Sequence, residues 1–364
     1  MLSLAIISYY TLRMLARCGE LLNSRATTYP EIGHAALGSL GWTLAWTGIM
    51  FMTIGVCGAY FVFVANMASD LLAYDRSECI AVLLPSFILL SWGPYKYLTH
   101  FSAIGISALV FALVVVMCDA FKYNTVAPAT DYPAFNPDTY SLFLGNTAFV
   151  YLIHSVVLPM RNQMEAPRFC PKTLLYAVVI VTVLNMGFAI PVYLLYNAET
   201  QGNIIDNLHP GNLKKAVQIA LCVDLFFTYA LFLFPMSEAL ENDLTRAWER
   251  RREKGGEEKE RDWELPWQFR AFLRALLVAT TALLAYLVPD FSSLSALSGG
   301  FGNNLVGFIL PPLFITVIKV KQNWWRENGV GRGWQVIEVG ANVCIGMGGV
   351  GLLVSSVQSF VGNL

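Results

Sequence analysis

The chain has 364 residues, of which 56% are hydrophobic, 13% aromatic and 13% charged. Soluble domains carry roughly a quarter charged residues, so this composition excludes an ordinary soluble fold and indicates a polytopic membrane protein. A net charge of -1 at pH 7 gives no electrostatic reason to expect a nucleic-acid partner.

Ten apolar runs follow in chain order: 1–15, 41–68, 80–93, 101–118, 140–160, 173–196, 216–236, 269–288, 294–318 and 334–357. A helix needs about 20 residues to cross the hydrocarbon core. Most runs come close; 1–15 and 80–93 are short, and 41–68 is long enough to tilt. The expected fold is all-α, with ten transmembrane helices in a single domain. Residues 122–139 hold Pro128, Pro133 and Pro137 and read as irregular. Residues 238–267 form a charged loop, a solvated connector or a short interfacial helix over 242–252.

Alternate loops differ sharply in basic residues. Of the 24 Lys and Arg, only Arg76, Lys122, Lys214 and Lys215 fall on one side, so the other side faces the cytosol by the positive-inside rule. On that orientation the first run begins outside with no hydrophilic segment before it. An upstream span is therefore expected, giving eleven spans and a cytosolic N-terminus. Of the seven cysteines only Cys79 lies near an outer loop, so no outer disulfide is expected.

The fifth run carries Gly145-Asn146-Thr147 near its first third and His154-Ser155 beyond its middle, polar groups a lipid-facing helix would not choose. Polar atoms at that depth must be satisfied by protein or water, and a pathway or binding site is the usual reason to accept the cost. In the seventh run Asp224 lies ten residues beyond Lys214, about 15 Å deep, with Thr228 one turn on. A midplane carboxylate costs about 2.5 kcal/mol or more on insertion, so it faces a cavity, takes a proton, binds a cation, or is satisfied by a neighbouring helix.

The second run centres on Gly55, Gly58 and Tyr60; helix packing explains the glycines as well as a site does, and Tyr60 brings a hydroxyl to mid-depth. In the ninth, Ser298-Gly-Gly-Phe-Gly-Asn-Asn304 before Pro311-Pro312 indicates a locally irregular helix lined by protein. Arg13, Arg17, Arg270 and Arg274 lie near span ends and can snorkel. There is no Gly-x-Ser-x-Gly elbow, phosphate-cradling loop or clustered His/Cys set, so neither an enzyme nor a metal site is expected.

Several stretches resemble the amino acid/auxin permease family. Residues 8–18 (Ser-Tyr-Tyr-Thr-Leu-Arg-Met-Leu-Ala-Arg-Cys), 28–33 (Thr-Tyr-Pro-Glu-Ile-Gly) and 53–66 look like its second and third spans. The last of these is most similar to the proton-coupled amino acid transporter branch. Val156-Val-Leu-Pro159 with Asn162-Gln-Met-Glu-Ala-Pro-Arg-Phe169 looks like the sixth span and its exit. Phe226-Phe-Thr-Tyr-Ala-Leu231 with Pro235 and Glu238 is similar to the eighth, and Val288-Pro-Asp-Phe291 with Phe308-Ile-Leu-Pro-Pro312 to the ninth and tenth.

The resemblance implies a leucine-transporter-like fold of eleven helices, built as a five-plus-five inverted repeat with alternating access around a midplane site. On that alignment the first run is the family's second helix. Thr228 matches a position whose hydroxyl helps hold the coupling ion in sodium-dependent relatives. Where relatives place glycine to let the sixth helix unwind, this chain has Leu152-Ile153, and Gly145-Asn146 is an alternative break.

The expected function is secondary active transport of small neutral amino acids, driven by protons, with sodium as the other candidate ion and no other cofactor. Asp224 and His154 are the candidate proton carriers. Gly58, Tyr60, Asn146, Tyr151, Ser155, Thr228 and Asn303 are the candidate substrate or ion contacts. The partners are an amino acid and the lipid bilayer of a vacuolar, lysosomal or plasma membrane. The alternatives are a non-transporting amino acid sensor of the same fold, signalling through residues 238–267, or an inactive truncated chain.

Overall fold

A computed structural model describes residues 1–22, 28–92, 95–126, 136–151, 153–254 and 265–362, and among these it contains helices, turns and no strand. The helices are α1 (Leu2–Leu21), α2 (Tyr29–Leu37), α3 (Ser39–Leu72), α4 (Arg76–Trp92), α5 (Tyr95–Tyr123), α6 (Pro137–Val150) and α7 (Val157–Gln163). They continue as α8 (Cys170–Tyr196), α9 (Asn212–Lys254), α10 (Trp267–Leu287), α11 (Phe291–Leu297), α12 (Leu310–Lys321), α13 (Trp324–Glu327) and α14 (Arg332–Gly362). Eight helical stretches among the described residues are long and apolar enough to cross a membrane. The protein is an all-α polytopic membrane protein. The first and third runs do not reach that standard by themselves, because α1 carries Arg13, Arg17 and Glu20 and α4 has only 17 residues.

Two compact units are interleaved along the chain. One comprises Met1–Met52, Ala127–Asn197 and Ser295–Leu364, the other Thr53–Val126 and Ala198–Leu294. In the first unit α1 packs against α8 and α12, and α2 against α12. Leu15, Cys18, Tyr29, Ile32, Leu158, Phe314 and their neighbours form one apolar core, and Leu12, Tyr151, Leu174 and Phe308 belong to a second. The start of α2 is specified locally. Thr28 and Glu31 form a capping box, with Pro30 in the first turn.

Two π-helical segments, Ser298–Asn303 and Leu305–Ile309, interrupt the passage from α11 to α12, as the Gly/Asn-rich ninth run predicts. Side chains take up the carbonyls of these widened turns. Tyr29 donates its hydroxyl to the Val306 carbonyl at 2.6 Å, and the Asn304 amide donates to Gly300 O at 3.1 Å and Gly349 O at 2.6 Å. The segment lies directly on α6: a Cβ on Gly299 would stand 2.1 Å from Gly145 O, and one on Gly145 would stand 2.4 Å from Ala296 O. Only glycine permits that approach.

In the second unit α5 and α9 form the most extensive helix pair, and α4 packs on α9 and α10. Phe61, Phe87, Phe226 and Tyr229 make an aromatic core, with centroids 4.4 Å apart for Phe87 and Tyr229. The Tyr229 hydroxyl and Thr281 Oγ1 are 2.7 Å apart.

Two expectations change here. Residues 238–254, expected within a loop, continue α9 as helix, because 236–254 contain neither Gly nor Pro and are rich in Glu, Arg, Ala and Leu. The remainder of that loop, 255–264, lies outside the described residues. Arg274 does not snorkel: it donates from Nε and Nη2 to the Glu241 carboxylate at 2.7 and 3.1 Å and from Nη1 to Ser91 O at 3.0 Å, so α10, α9 and α4 are tied at one point.

Candidate functional site

The fifth span is broken. After α6 ends at Val150 the chain turns through Tyr151 and Ile153 into a 3₁₀ turn, His154–Val156, before α7 resumes. Ile153 (φ -119°, ψ 0°) and Val156 (φ -102°, ψ -4°) hold bridge-like backbone angles that non-glycine residues tolerate. The unwinding therefore falls where the sequence offers Leu152-Ile153 in place of glycine; Leu152 itself lies outside the described residues. Gly145-Asn146 is not a break, since α6 runs through it. Pro159 fits the restart: it has no N–H to donate to the carbonyl four residues back, at Ser155, and it stands in the first turn of α7, where that N–H is not needed.

In the first unit the expected residues divide into those at the break and those beside it. Tyr151 is buried, its hydroxyl 2.8 Å from Thr182 Oγ1 of α8. His154 is fully buried, with Nε2 3.0 Å from Thr11 Oγ1 of α1. Asn303 is also fully buried and donates its amide to Ala148 O in the last turn of α6. Ser155 is half-buried within the 3₁₀ turn. Asn146 stands a turn or more before the break and accepts from the Ser295 hydroxyl at 2.5 Å, which makes it a link between α6 and α11 rather than part of the break.

In the second unit Asp224 lies about 18 Å along α9 from its start at Asn212. Thr228 donates to Asp224 Oδ1 at 3.2 Å, as the one-turn spacing predicts. The carboxylate is seated against α5, where a Cβ on Gly105 would stand 2.1 Å from Oδ1. Asp224 is half-buried, so part of the carboxylate remains accessible. Tyr60 is half-buried on α3, its ring edge-on to Phe232 at 5.9 Å. Gly58 is buried, and a Cβ there would stand 3.3 Å from Leu294 Cδ2, which fits helix packing. Among the described residues no group of His, Cys, Asp and Glu could hold a metal ion.

Four residues that the sequence reading passed over complete these clusters: Thr11, Thr182, Gly105 and Gly307. Thr11 and Thr182 sit in apolar helices with nothing to mark them, and their partners lie 143 and 31 residues away. The two glycines matter only for what they abut, which no local pattern reveals. Gly105 gives a prediction: Gly105→Val overpacks the contact between α5 and the Asp224 carboxyl and is expected to cost about 1–3 kcal/mol of stability. Thermal unfolding in detergent checks it.

A model of the family described as "Transmembrane amino acid transporter protein" matches residues 1–358. The chain belongs to this family. Among curated members it is similar to the Arabidopsis thaliana amino acid transporter AVT3B, 26% identical over 345 residues that cover 90% of this chain and 78% of the relative. The Arabidopsis amino acid transporter ANT1 is 28% identical over 343 residues, 88% of this chain and 77% of the relative. The resemblance seen in the separate motifs extends along almost the whole sequence.

Proposed function

We propose that this member of the amino acid transporter family moves small neutral amino acids by alternating access, driven by protons through Asp224. Family membership over residues 1–358 is the observation that carries the reading. The interrupted span at 151–156 supports it, because irregular backbone at membrane depth is tolerated where it is buried in protein or lines a path. The side chains around that break include Thr11, Tyr151, His154, Ser155, Thr182 and Asn303, none of them a carboxylate, lysine or arginine, which favours a substrate whose own side chain is neutral.

Asp224 supplies the acidic group. It is the residue in the middle of α9 that gains or loses charge, it keeps one oxygen on Thr228, and it retains an accessible face. The vacuolar or lysosomal membrane and the plasma membrane, which hold proton gradients, are the locations this reading assigns.

Counterflow in proteoliposomes tests the substrate class. Vesicles loaded with unlabelled alanine or serine are expected to draw in the labelled amino acid, and vesicles loaded with lysine or glutamate are not. Equal exchange by all four would overturn the neutral-substrate assignment.

A further inference from the structure

The last four carbonyls of a helix lack intrahelical donors, and α6 ends inside the protein, so its end needs partners. Ala148 O receives two: the Tyr151 amide at 3.2 Å and the Asn303 side-chain amide, which arrives from the π-helical segment. On the far side of the break stands His154. Its Nε2 edge meets Thr11, and its Nδ1 edge faces the same π-helical region that carries Asn303: a Cβ on Gly307 would stand 2.9 Å from Nδ1. The Asn303 carboxamide is near enough to act on the ring, as are the backbone groups of Tyr151 and Ser8.

The placement of the ring proton decides what this cluster does. With the proton on Nε2, the ring donates to Thr11 and Thr11 donates to Ser8 O at 3.0 Å. His154 Nδ1 and Asn303 Oδ1 are both buried and neither has a hydrogen-bond partner among the described residues, each other included; with the proton on Nε2 both are acceptors. Moving the one proton to Nδ1 makes one of them a donor to the other's acceptor, so that a small shift of the two side chains removes both defects. Nδ1–H donates to Asn303 Oδ1, the Thr11 hydroxyl turns to donate to Nε2, and Ser8 O keeps its helical amide.

The ring needs no added charge for this arrangement. The groups facing it among the described residues are Ser8 and Thr11 of α1, Asn303, Gly307 and Phe308 of the π-helical segments, and the backbone of Tyr151, whose hydroxyl is engaged with Thr182. None is a carboxylate that would balance an imidazolium at this depth.

We propose that Asn303 and His154 form a neutral staple across the break, Asn303 holding the end of α6 with its nitrogen and the start of the 3₁₀ turn with its oxygen. His154 is on this view a positioning residue that keeps the break in one geometry, and the coupling proton is carried elsewhere. The role in uptake rests on the transport reading above; the protonation state of the ring does not.

The test is two-part. Nitrogen NMR of the histidine-labelled protein in lipid, with the His154 signal assigned by its loss in His154→Gln, is expected to show a neutral ring protonated at Nδ1 from about pH 5 to pH 8, the range in which free histidine titrates. In uptake assays His154→Gln, whose amide can donate to Asn303 and accept from Thr11, is expected to keep the wild-type dependence on the pH gradient. His154→Phe, which does neither, is expected to lose about tenfold or more in rate. An imidazolium signal within that pH range, or loss of gradient dependence in His154→Gln with counterflow intact, overturns the staple. A neutral Nδ1–H ring in a protein that shows no uptake overturns the transport reading and leaves the staple standing.

Discussion

Asp224→Asn is expected to abolish accumulation driven by a pH gradient while leaving counterflow in place. One proton coupled to one substrate converts each pH unit into about 1.4 kcal/mol, a tenfold concentration ratio. The amide keeps the shape of the carboxyl, still accepts from Thr228 and still fits against Gly105, so the packing of α5 on α9 is preserved. It no longer takes up and releases a proton. The accumulation ratio therefore falls from about ten per pH unit to about one. Thr228→Val removes one hydrogen bond to the same carboxylate and leaves the acid in place, so gradient-driven accumulation is expected to persist. Equal accumulation by Asp224→Asn and the wild type would show that the proton is carried by another group.

The largest effect on stability is expected from Glu241→Ala. The Glu241 and Arg274 side chains are 8% and 14% exposed, and the guanidinium makes two bonds to the carboxylate and one to the Ser91 carbonyl. Removing the acid leaves a buried guanidinium without its counter-charge, a loss of about 3–5 kcal/mol. Replacing both partners by apolar residues of similar volume, Glu241→Met with Arg274→Leu, is expected to restore most of it, because the pair's own desolvation cost disappears with it. Thermal unfolding in detergent, followed by a tryptophan or thiol probe, reads the difference. A single variant as stable as the wild type would mean that the ion pair does not bind α4, α9 and α10 together.

The fold was legible where it depends on composition and period. The long apolar runs became spans, and Ser298-Gly-Gly-Phe-Gly-Asn-Asn304 became π-helix, because glycine lowers the cost of a widened turn and asparagine carries donors for the carbonyls it frees. The one-turn relation of Asp224 to Thr228 also follows from helical geometry alone.

What escaped was what depends on contact. The break in the fifth run needs no glycine: Ile153 and Val156 hold its bridge-like angles, and Pro159 opens α7 where its missing amide hydrogen costs least. Charges near span ends suggest snorkelling, whereas Glu241, about eight turns into α9 and beyond the apolar run, holds Arg274 inside. Gly105 gives no signal in an apolar helix, because its role is set entirely by the carboxylate from α9 that it accommodates.

The two clusters of candidate residues also fall in different units. Tyr151, His154, Ser155, Asn146 and Asn303 belong to one, and Gly58, Tyr60, Asp224 and Thr228 to the other. Within each unit the chemistry differs. The first holds uncharged hydrogen-bonding groups around a helix break, suited to fixing backbone geometry. The second holds a single half-buried carboxylate, suited to gaining and losing a proton.

The most direct measurement is accumulation of labelled alanine by the purified protein in sealed liposomes, with the outside more acidic than the inside by one pH unit. The account expects alanine inside to rise above the outside concentration, towards the tenfold limit for one proton, and to fall back when a protonophore collapses the gradient. Saturable alanine binding with no uptake under the same gradient would contradict it and would identify the chain as a receptor built on a transporter fold.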